Sequence, residues 1–172
     1  VDTVGEINDV AKAAYNVMLK AGVLAVPSTS TAPAEYTTET EWVNGLTALG
    51  VNGVTALNIG AVKKSIADTA TKGTHNDGVE VDAVSKLQAL VSLVRLKAFT
   101  DDTGLPSGSP AKQASTPTLA DWTALGVKAY SSLNDASPTR DLSASNTNLS
   151  AINSALDRLA GSELADVGNT TT

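Results

Sequence analysis

One five-residue segment, TALGV, occurs twice without a change, at 47–51 and again at 123–127. Two further pairs of segments match less closely: 58–66 with 148–156, and 1–10 with 81–90. Self-similarity over tens of residues is the sequence signature of repeat proteins, in which each unit packs mainly on its neighbours. The chain is therefore expected to consist of small repeated modules.

Apolar residues spaced three and four apart predict helices over 1–21, 38–49, 56–70, 81–99, 118–125 and 148–160. A short further helix is expected at 163–167, and 128–146 reads as irregular. Two segments rich in Pro, Ser and Thr, 23–37 and 101–117, predict extended linkers, because proline cannot continue a helix. The predicted fold class is all-α, with small three-helix repeat modules joined by extended linkers.

The order of the matching segments divides the chain. A helix ending in TALGV, a helix following an asparagine and a helix opening with VDxV all occur in the middle, whereas each end holds only part of the set. The predicted division is 1–22 as a helix completing a neighbouring module, 23–37 as a linker, 38–100 as a central three-helix module, 101–117 as a linker, and 118–172 as a partial helical module.

A lone amphipathic helix at 1–21 needs a partner for its apolar stripe, either the central module or the C-terminal half-module of a neighbour. The order of the matching segments favours the C-terminal half-module as the partner, either in an adjacent copy or in a longer continuous chain. The predicted self-assembly interface comprises Val4, Ile7, Val10, Val17, Met18, Leu149, Ile152, Leu156 and Leu159. Head-to-tail contacts of this kind generate filaments unless the rotation closes a ring.

Composition excludes several functions. Twelve Lys and Arg against eighteen Asp and Glu give a net charge of −6, which does not supply the basic face that binds nucleic acid. No apolar run reaches the length of a membrane span. The absence of cysteine removes disulfides, thiolate metal ligands and cysteine nucleophiles together. A surface wetted by 21 Thr and 16 Ser is more typical of extracellular proteins.

Candidate catalytic and metal-binding residues are few. His75 is the one histidine, and its polar Gly/Asn/Asp setting favours a solvated turn over a catalytic triad. The segments 76–78 and 101–104 carry acidic and amide side chains, but neither has the alternating oxygen ligands of a calcium loop. We therefore expect no enzymatic activity, no cofactor and no metal.

Sugar-related features also have simpler explanations. The glycosylation triplets at 148–150 and 169–171 arise easily in a chain rich in Asn and Thr, and Asn148 is expected to cap a helix. Trp42 and Trp122 could stack on sugars, but half-buried positions on helices are expected instead.

The segments TLADWTALGV, NLSAINSALDRLAGSE and VDTVGEINDV together resemble the helical repeat modules of very long bacterial cell-surface and adhesin-like proteins. The resemblance implies a location at the bacterial cell surface, a structural or adhesive role and no catalytic residue. We therefore expect a structural subunit or repeat unit of an extracellular filament, sheath or surface layer, whose partners are other copies of itself. The alternative is an adhesin module that recognises a host protein or glycan, and a third reading is an accessory domain of a secreted enzyme.

Overall fold

The computed structural model describes residues 3–24, 33–72, 80–101, 116–127 and 147–158. These residues form six helices: α1 (Val4–Lys20), α2 (Glu39–Ala48), α3 (Ile59–Lys72), α4 (Val84–Asp101), α5 (Leu119–Ala124) and α6 (Thr147–Leu156). They contain no strand, so the predicted all-α fold is confirmed for this part of the chain. None of the helices found there combines the length and the hydropathy needed to cross a membrane.

Every described helix falls on a segment whose apolar spacing predicts one. Helices α3 and α4 begin three residues later than predicted. Of the two predicted linkers, residues 33–37 and 116–117 are described and contain no helix. The remaining linker residues 25–32 and 102–115, the irregular segment 128–146 and the short helix predicted at 163–167 lie outside the described residues.

Three helices begin with the same arrangement of hydrogen bonds, a capping box. The hydroxyl of an N-cap threonine accepts a bond from the N–H three residues later, and the carboxylate at that later position accepts one from the threonine N–H. The pairs are Thr3 with Glu6 in α1, Thr38 with Glu41 in α2, and Thr118 with Asp121 in α5. Each box satisfies two N–H groups that a helix start leaves unpaired, and so fixes where the helix begins.

The two TALGV segments end their helices in the same way. Gly50 and Gly126 have φ of 85° and 83°, a left-handed conformation that glycine adopts without steric cost. The following valine N–H bonds a carbonyl five residues back, over 3.0 Å in both cases, from Val51 to Leu46 and from Val127 to Trp122. This pattern is the Schellman motif, which satisfies carbonyls left over at a helix end.

The chain divides into two compact units, Val1–Val94 and Arg95–Thr172. The division falls inside α4, although the sequence predicted a module at 38–100 followed by a linker at 101–117. Helix α1, which was predicted to complete a neighbouring module, packs against α2 and α3 of its own unit. Periodicity along a single helix does not reveal which of its turns pack in which core, and that explains the difference.

The first unit has an aliphatic core with one tryptophan: Val17, Ala21, Trp42, Leu46, Val51, Ile59, Val62, Ile66, Val81, Leu87, Val91 and Val94. A buried amide fixes the segment that leads into α2. Asn16, on α1, accepts a hydrogen bond from the N–H of Tyr36 over 2.7 Å and donates to the carbonyl of Ala34 over 3.3 Å. These bonds satisfy the side-chain amide of Asn16, which is buried away from water.

Among the described residues of the second unit, Leu96, Phe99 and Leu156 form an apolar core with the half-buried Trp122 and Leu125. Beside it lies a buried ion pair. The Arg95 guanidinium donates to Oδ1 of Asp121 over 3.1 Å, lies 2.8 Å from its Oδ2, and also donates to the carbonyl of Thr116. The Asp121 carboxylate is thus held by a cation as well as by its own capping box, which the low exposure of this residue requires.

We expect acid to weaken helix α2 through Glu41. Hydrogen bonds from the backbone N–H groups of Thr38 and Thr37, with smaller contributions from their hydroxyls, lower the pKa of Glu41 from 4.5 to about 2. A carboxyl whose folded-state pKa is lowered contributes stability that is present above its ordinary pKa and is lost as the pH falls towards 2. Urea unfolding between pH 7 and pH 2 should show a loss of stability that is smaller in Glu41→Gln than in the wild type. Glu39→Gln, which removes a carboxylate outside the capping box, should keep the loss.

Breaking the buried ion pair should destabilise the second unit. Arg95→Met leaves the carboxylate of Asp121 buried without its cation, which costs about 3–5 kcal/mol of unfolding free energy. The control, Lys64→Met, removes an exposed pair with Asp68 and should cost less than about 1 kcal/mol. Equal unfolding midpoints of the two variants in urea would contradict the structural importance of the buried pair.

Candidate self-association surface

The residues predicted to form the self-assembly interface do not share one environment. Val17 is buried and Met18 partly buried in the core of the first unit, and Val10 is half-buried. In contrast, Val4 and Ile7 are 74% and 56% exposed. The structure therefore splits the predicted stripe on α1 into a covered C-terminal half and an uncovered N-terminal part, and we call Val4 and Ile7 the α1 patch.

The interface residues predicted in the C-terminal part of the chain lie in the second unit. Leu156 belongs to its apolar core, and Leu149 is also buried. Ile152 is half-buried, and Leu159 lies outside the described residues. Of this set, Ile152 is thus the residue that the structure leaves partly open.

Helix α4 shows what the α1 patch lacks. Both helices follow a VDxV segment, and α4 begins at Val84, 80 positions after α1 begins at Val4. At the equivalent position of the two helices, Leu87 is 4% exposed and Ile7 is 56% exposed. Leu87 lies in the core of the first unit with Val91 and Val94. The same place on two similar helices is therefore covered in one and open in the other.

A pair of hydrogen bonds accompanies the burial of Leu87. The neighbouring Gln88 accepts a bond from the N–H of Asn52 over 2.8 Å and donates to the carbonyl of the same residue over 3.1 Å. This amide pairing holds the first turns of α4 to the connection between α2 and α3. The residue of α1 equivalent to Gln88 is Asn8, which also carries an amide and is exposed.

Sequence reasoning missed Leu87 and Gln88 as guides to the interface, although a signal was present. Val4 and Val84 lie 80 positions apart, and so do the helix-capping residues Thr38 and Thr118. This shared spacing pairs α1 with α4 and α2 with α5. Counted in this way the matching segments start at α1, whereas the sequence analysis began each module at the helix that ends in TALGV.

The remaining polar groups near α1 and α2 serve packing. Burial raises the pKa of Tyr36, with smaller contributions from the charges of Asp9 and Glu41, so its phenol stays neutral. Its ring meets Trp42 edge-on, with centroids 5.5 Å apart, and the Lys12 ammonium lies 5.0 Å from the ring centroid. Cation–π contacts at such sites contribute on the order of 0.5–1 kcal/mol.

The two tryptophans are engaged within their units. Trp42 is buried in the first core, and the half-buried Trp122 donates from its Nε1 to the amide oxygen of Asn153 over 3.2 Å. The half-buried position expected on a helix is therefore found for Trp122, while Trp42 is more deeply covered. The side chain of Asn153 donates in turn to the carbonyl of Pro117 over 2.8 Å, so this contact ties α6 to the start of α5.

Other candidates from the sequence mostly fall outside the described residues. His75, the segment 76–78, residues 102–104 and the side chain of Asn148 are among them. Within the described ranges, no group of three or more His, Cys, Asp or Glu side chains is placed to hold a metal ion.

Truncation at the two equivalent positions should have unequal effects on stability. Leu87→Ala opens a cavity in the first core and should cost about 2–5 kcal/mol of unfolding free energy. Ile7→Ala removes a largely exposed side chain and should change it by about 0.5 kcal/mol or less. Urea unfolding at low protein concentration measures both. A large loss for Ile7→Ala would mean that the α1 patch is covered within its own chain.

Comparison with models of protein families, with curated proteins and with solved structures gives no match for this chain. Function must therefore be inferred from the geometry of the two units and from the amino-acid composition.

Proposed function

We propose that this chain is a structural subunit or repeat unit of an extracellular bacterial filament, sheath or surface layer, and that copies associate head to tail through helix α1. The observation that carries the proposal is the exposure of Ile7 at a position whose equivalent, Leu87, is buried in a core. Val84, the equivalent of Val4, is itself 43% exposed in α4, so Ile7 is the position of α1 whose contact is unfilled.

The energetics favour covering the α1 patch. Full burial of a Val or Ile side chain contributes roughly 1.5–3 kcal/mol relative to exposure. The two residues of the patch lie on adjacent turns of one helix, so one partner surface can cover both. Because the partner would cover the N-terminal part of α1, the buried residues Ala13 and Val17 keep their places in the first unit. Association therefore requires no unfolding of the subunit.

Composition supports the extracellular and structural parts of the proposal. The sequence holds 21 Thr and 16 Ser, against 12 Lys and Arg and 18 Asp and Glu. A single histidine and no cysteine leave few groups for acid–base or nucleophilic catalysis, so the proposal assigns no enzymatic role. The resemblance to repeat modules of long bacterial surface proteins agrees with this assignment.

The second candidate function is an adhesin module that binds a host protein or glycan. Leu57, 77% exposed in the connection between α2 and α3, is the observation in its favour. A single exposed leucine is common on protein surfaces, whereas Ile7 has an internal equivalent, Leu87, that is buried. The observations therefore favour self-association.

Self-association should depend on Ile7 and not on Leu57. Ile7→Asp places a charge in the proposed contact, where burial without a partner is costly, and should keep the protein monomeric. Leu57→Asp puts the same charge on an apolar residue that is more exposed than Ile7, and should leave association unchanged. Sedimentation and light scattering across a concentration series measure the effect, with circular dichroism confirming that both variants stay helical.

Electron microscopy of the concentrated wild-type protein completes the test. Elongated assemblies that Ile7→Asp abolishes would support the proposal. A wild-type protein that remains monomeric up to millimolar concentration would overturn it, and binding to immobilised glycans or host proteins lost in Leu57→Asp would favour the adhesin function.

A further inference from the structure

We infer that the α1 patch of one copy binds a second copy of this chain at Val127 and Ile152 of its second unit, in the register by which the first turns of α4 complete the first unit. The inference rests on the proposed head-to-tail association and identifies the surface that receives α1. We call Val127 and Ile152 the receiving residues.

The first receiving residue follows from the two helix ends that share the TALGV segment. Val51 and Val127 occupy the same position in identical Schellman motifs, one residue after the glycine. Nevertheless, Val51 is 1% exposed and Val127 is 36% exposed. Val51 lies in one core with Leu87, and its neighbour Asn52 is the residue that Gln88 binds. In the first unit, the first turns of α4 therefore pack at the end of α2.

The second receiving residue follows from the pairing of α3 with α6. Ile59, Val62 and Ile66 have the same spacing as Leu149, Ile152 and Leu156. All three residues of α3 are fully buried in the core that contains Leu87. On α6, Leu149 and Leu156 are buried, but Ile152 is only partly buried. Ile152 is thus the equivalent of Val62, which shares a core with Leu87 in the first turns of α4.

Ile7 and the receiving residues correspond to residues that lie together within the first unit. Ile7 is open where Leu87 is covered, and Val127 and Ile152 are open where Val51 and Val62 are covered. In the first unit, the covered members of all three pairs belong to one core. The contact between Leu87 and its core is therefore the template for the contact between copies.

Polar groups extend the match. In the template, Gln88 binds only backbone atoms of Asn52, so the contact does not depend on which side chain Asn52 carries. The sequence equivalent of Gln88 is Asn8, which is exposed on α1. An amide at position 8 retains both the donor and the acceptor that such a backbone pairing needs.

A symmetric pairing of two α1 patches is the competing arrangement between copies. It would cover Ile7 twice and leave Val127 open, so it accounts for only one of the two exposed surfaces. A partner of unrelated sequence would not be expected to fit openings that mirror a contact within this chain. The head-to-tail arrangement covers both surfaces with residue types that already pack together in the first unit.

Cross-linking between single-cysteine variants tests the arrangement. The chain has no cysteine, so Ile7→Cys, Val127→Cys and Leu57→Cys each carry one thiol, and all three replace exposed residues. Variants are mixed in pairs and treated with a short bis-maleimide, and dimers are quantified by denaturing electrophoresis. Because each copy has one thiol, every dimer formed joins two copies. Mass spectrometry then identifies the bridged peptides.

The expected result is several times more dimer in the mixture of Ile7→Cys with Val127→Cys than in either variant alone. The mixture of Ile7→Cys with Leu57→Cys should give no such increase, and an excess of cysteine-free protein should suppress the signal. Dimer from Ile7→Cys alone in equal yield would overturn the inference in favour of symmetric pairing, and equal yield with Leu57→Cys would show random collision.

Failure of the inference is separable from failure of the proposed function. If the wild-type protein forms Ile7-dependent assemblies but the Ile7→Cys and Val127→Cys mixture gives no specific dimer, the receiving residues are wrong and head-to-tail association through another surface stands. If the wild-type protein stays monomeric and no mixture cross-links, both are overturned.

Discussion

Helix α4 supplies side chains to two separate apolar cores. Leu87, Val91 and Val94 lie in the first, and Leu96 and Phe99 lie in the second. The first core is aliphatic apart from Trp42, whereas the second combines Leu96 and Leu156 with Phe99 and Trp122. Removing α4 would take apolar side chains from both cores at once, so each core depends on the placement of this one helix. The sharing of α4 is therefore the constraint on which the stability of both units depends.

Buried polar groups decide how the capped helices enter these cores. Asn16 holds the backbone before α2, and Arg95 holds both the backbone before α5 and the carboxylate of Asp121. These contacts are made to main-chain atoms or to a residue of the capping box. They therefore hold the start of each helix at a defined position against its core. Apolar packing among similar aliphatic residues specifies position weakly, and directional hydrogen bonds add that specificity.

The ends of the helices could be predicted from the sequence, but which residues pack in which core could not. The capping threonine Thr38 and the terminating Gly50 can be read from the chain, because the hydrogen bonds involved span three to five residues. The pairing of Arg95 with Asp121 joins residues 26 positions apart across a segment rich in proline, and no local pattern indicates it. Helical periodicity likewise places Ile7 and Val17 on one stripe without revealing that a core covers only the second.

Helix α5 shows how the sequence comparison could mislead. Four residues separate Trp42 from the TALGV segment in α2, whereas in α5 Trp122 precedes that segment directly. Four residues make about one helical turn, so both helix ends keep their faces while the shorter helix loses a layer of core. Trp122 then occupies the position that Leu46 has in α2, as the partner of the terminal valine N–H. The short helix thus has one tryptophan where α2 has both Trp42 and Leu46.

An assembly built on the exposed first turns of α1 would have polarity. Every subunit contributes one helix start and one receiving surface, so a linear array of any length keeps one unused surface of each kind, at opposite ends. The two termini would differ chemically, and growth at each would follow its own rate. Other repeat arrays protect such ends with specialised capping units whose outer face is polar. A cap shaped for one terminus would not fit the other, so the length of such an array could be controlled from either end independently.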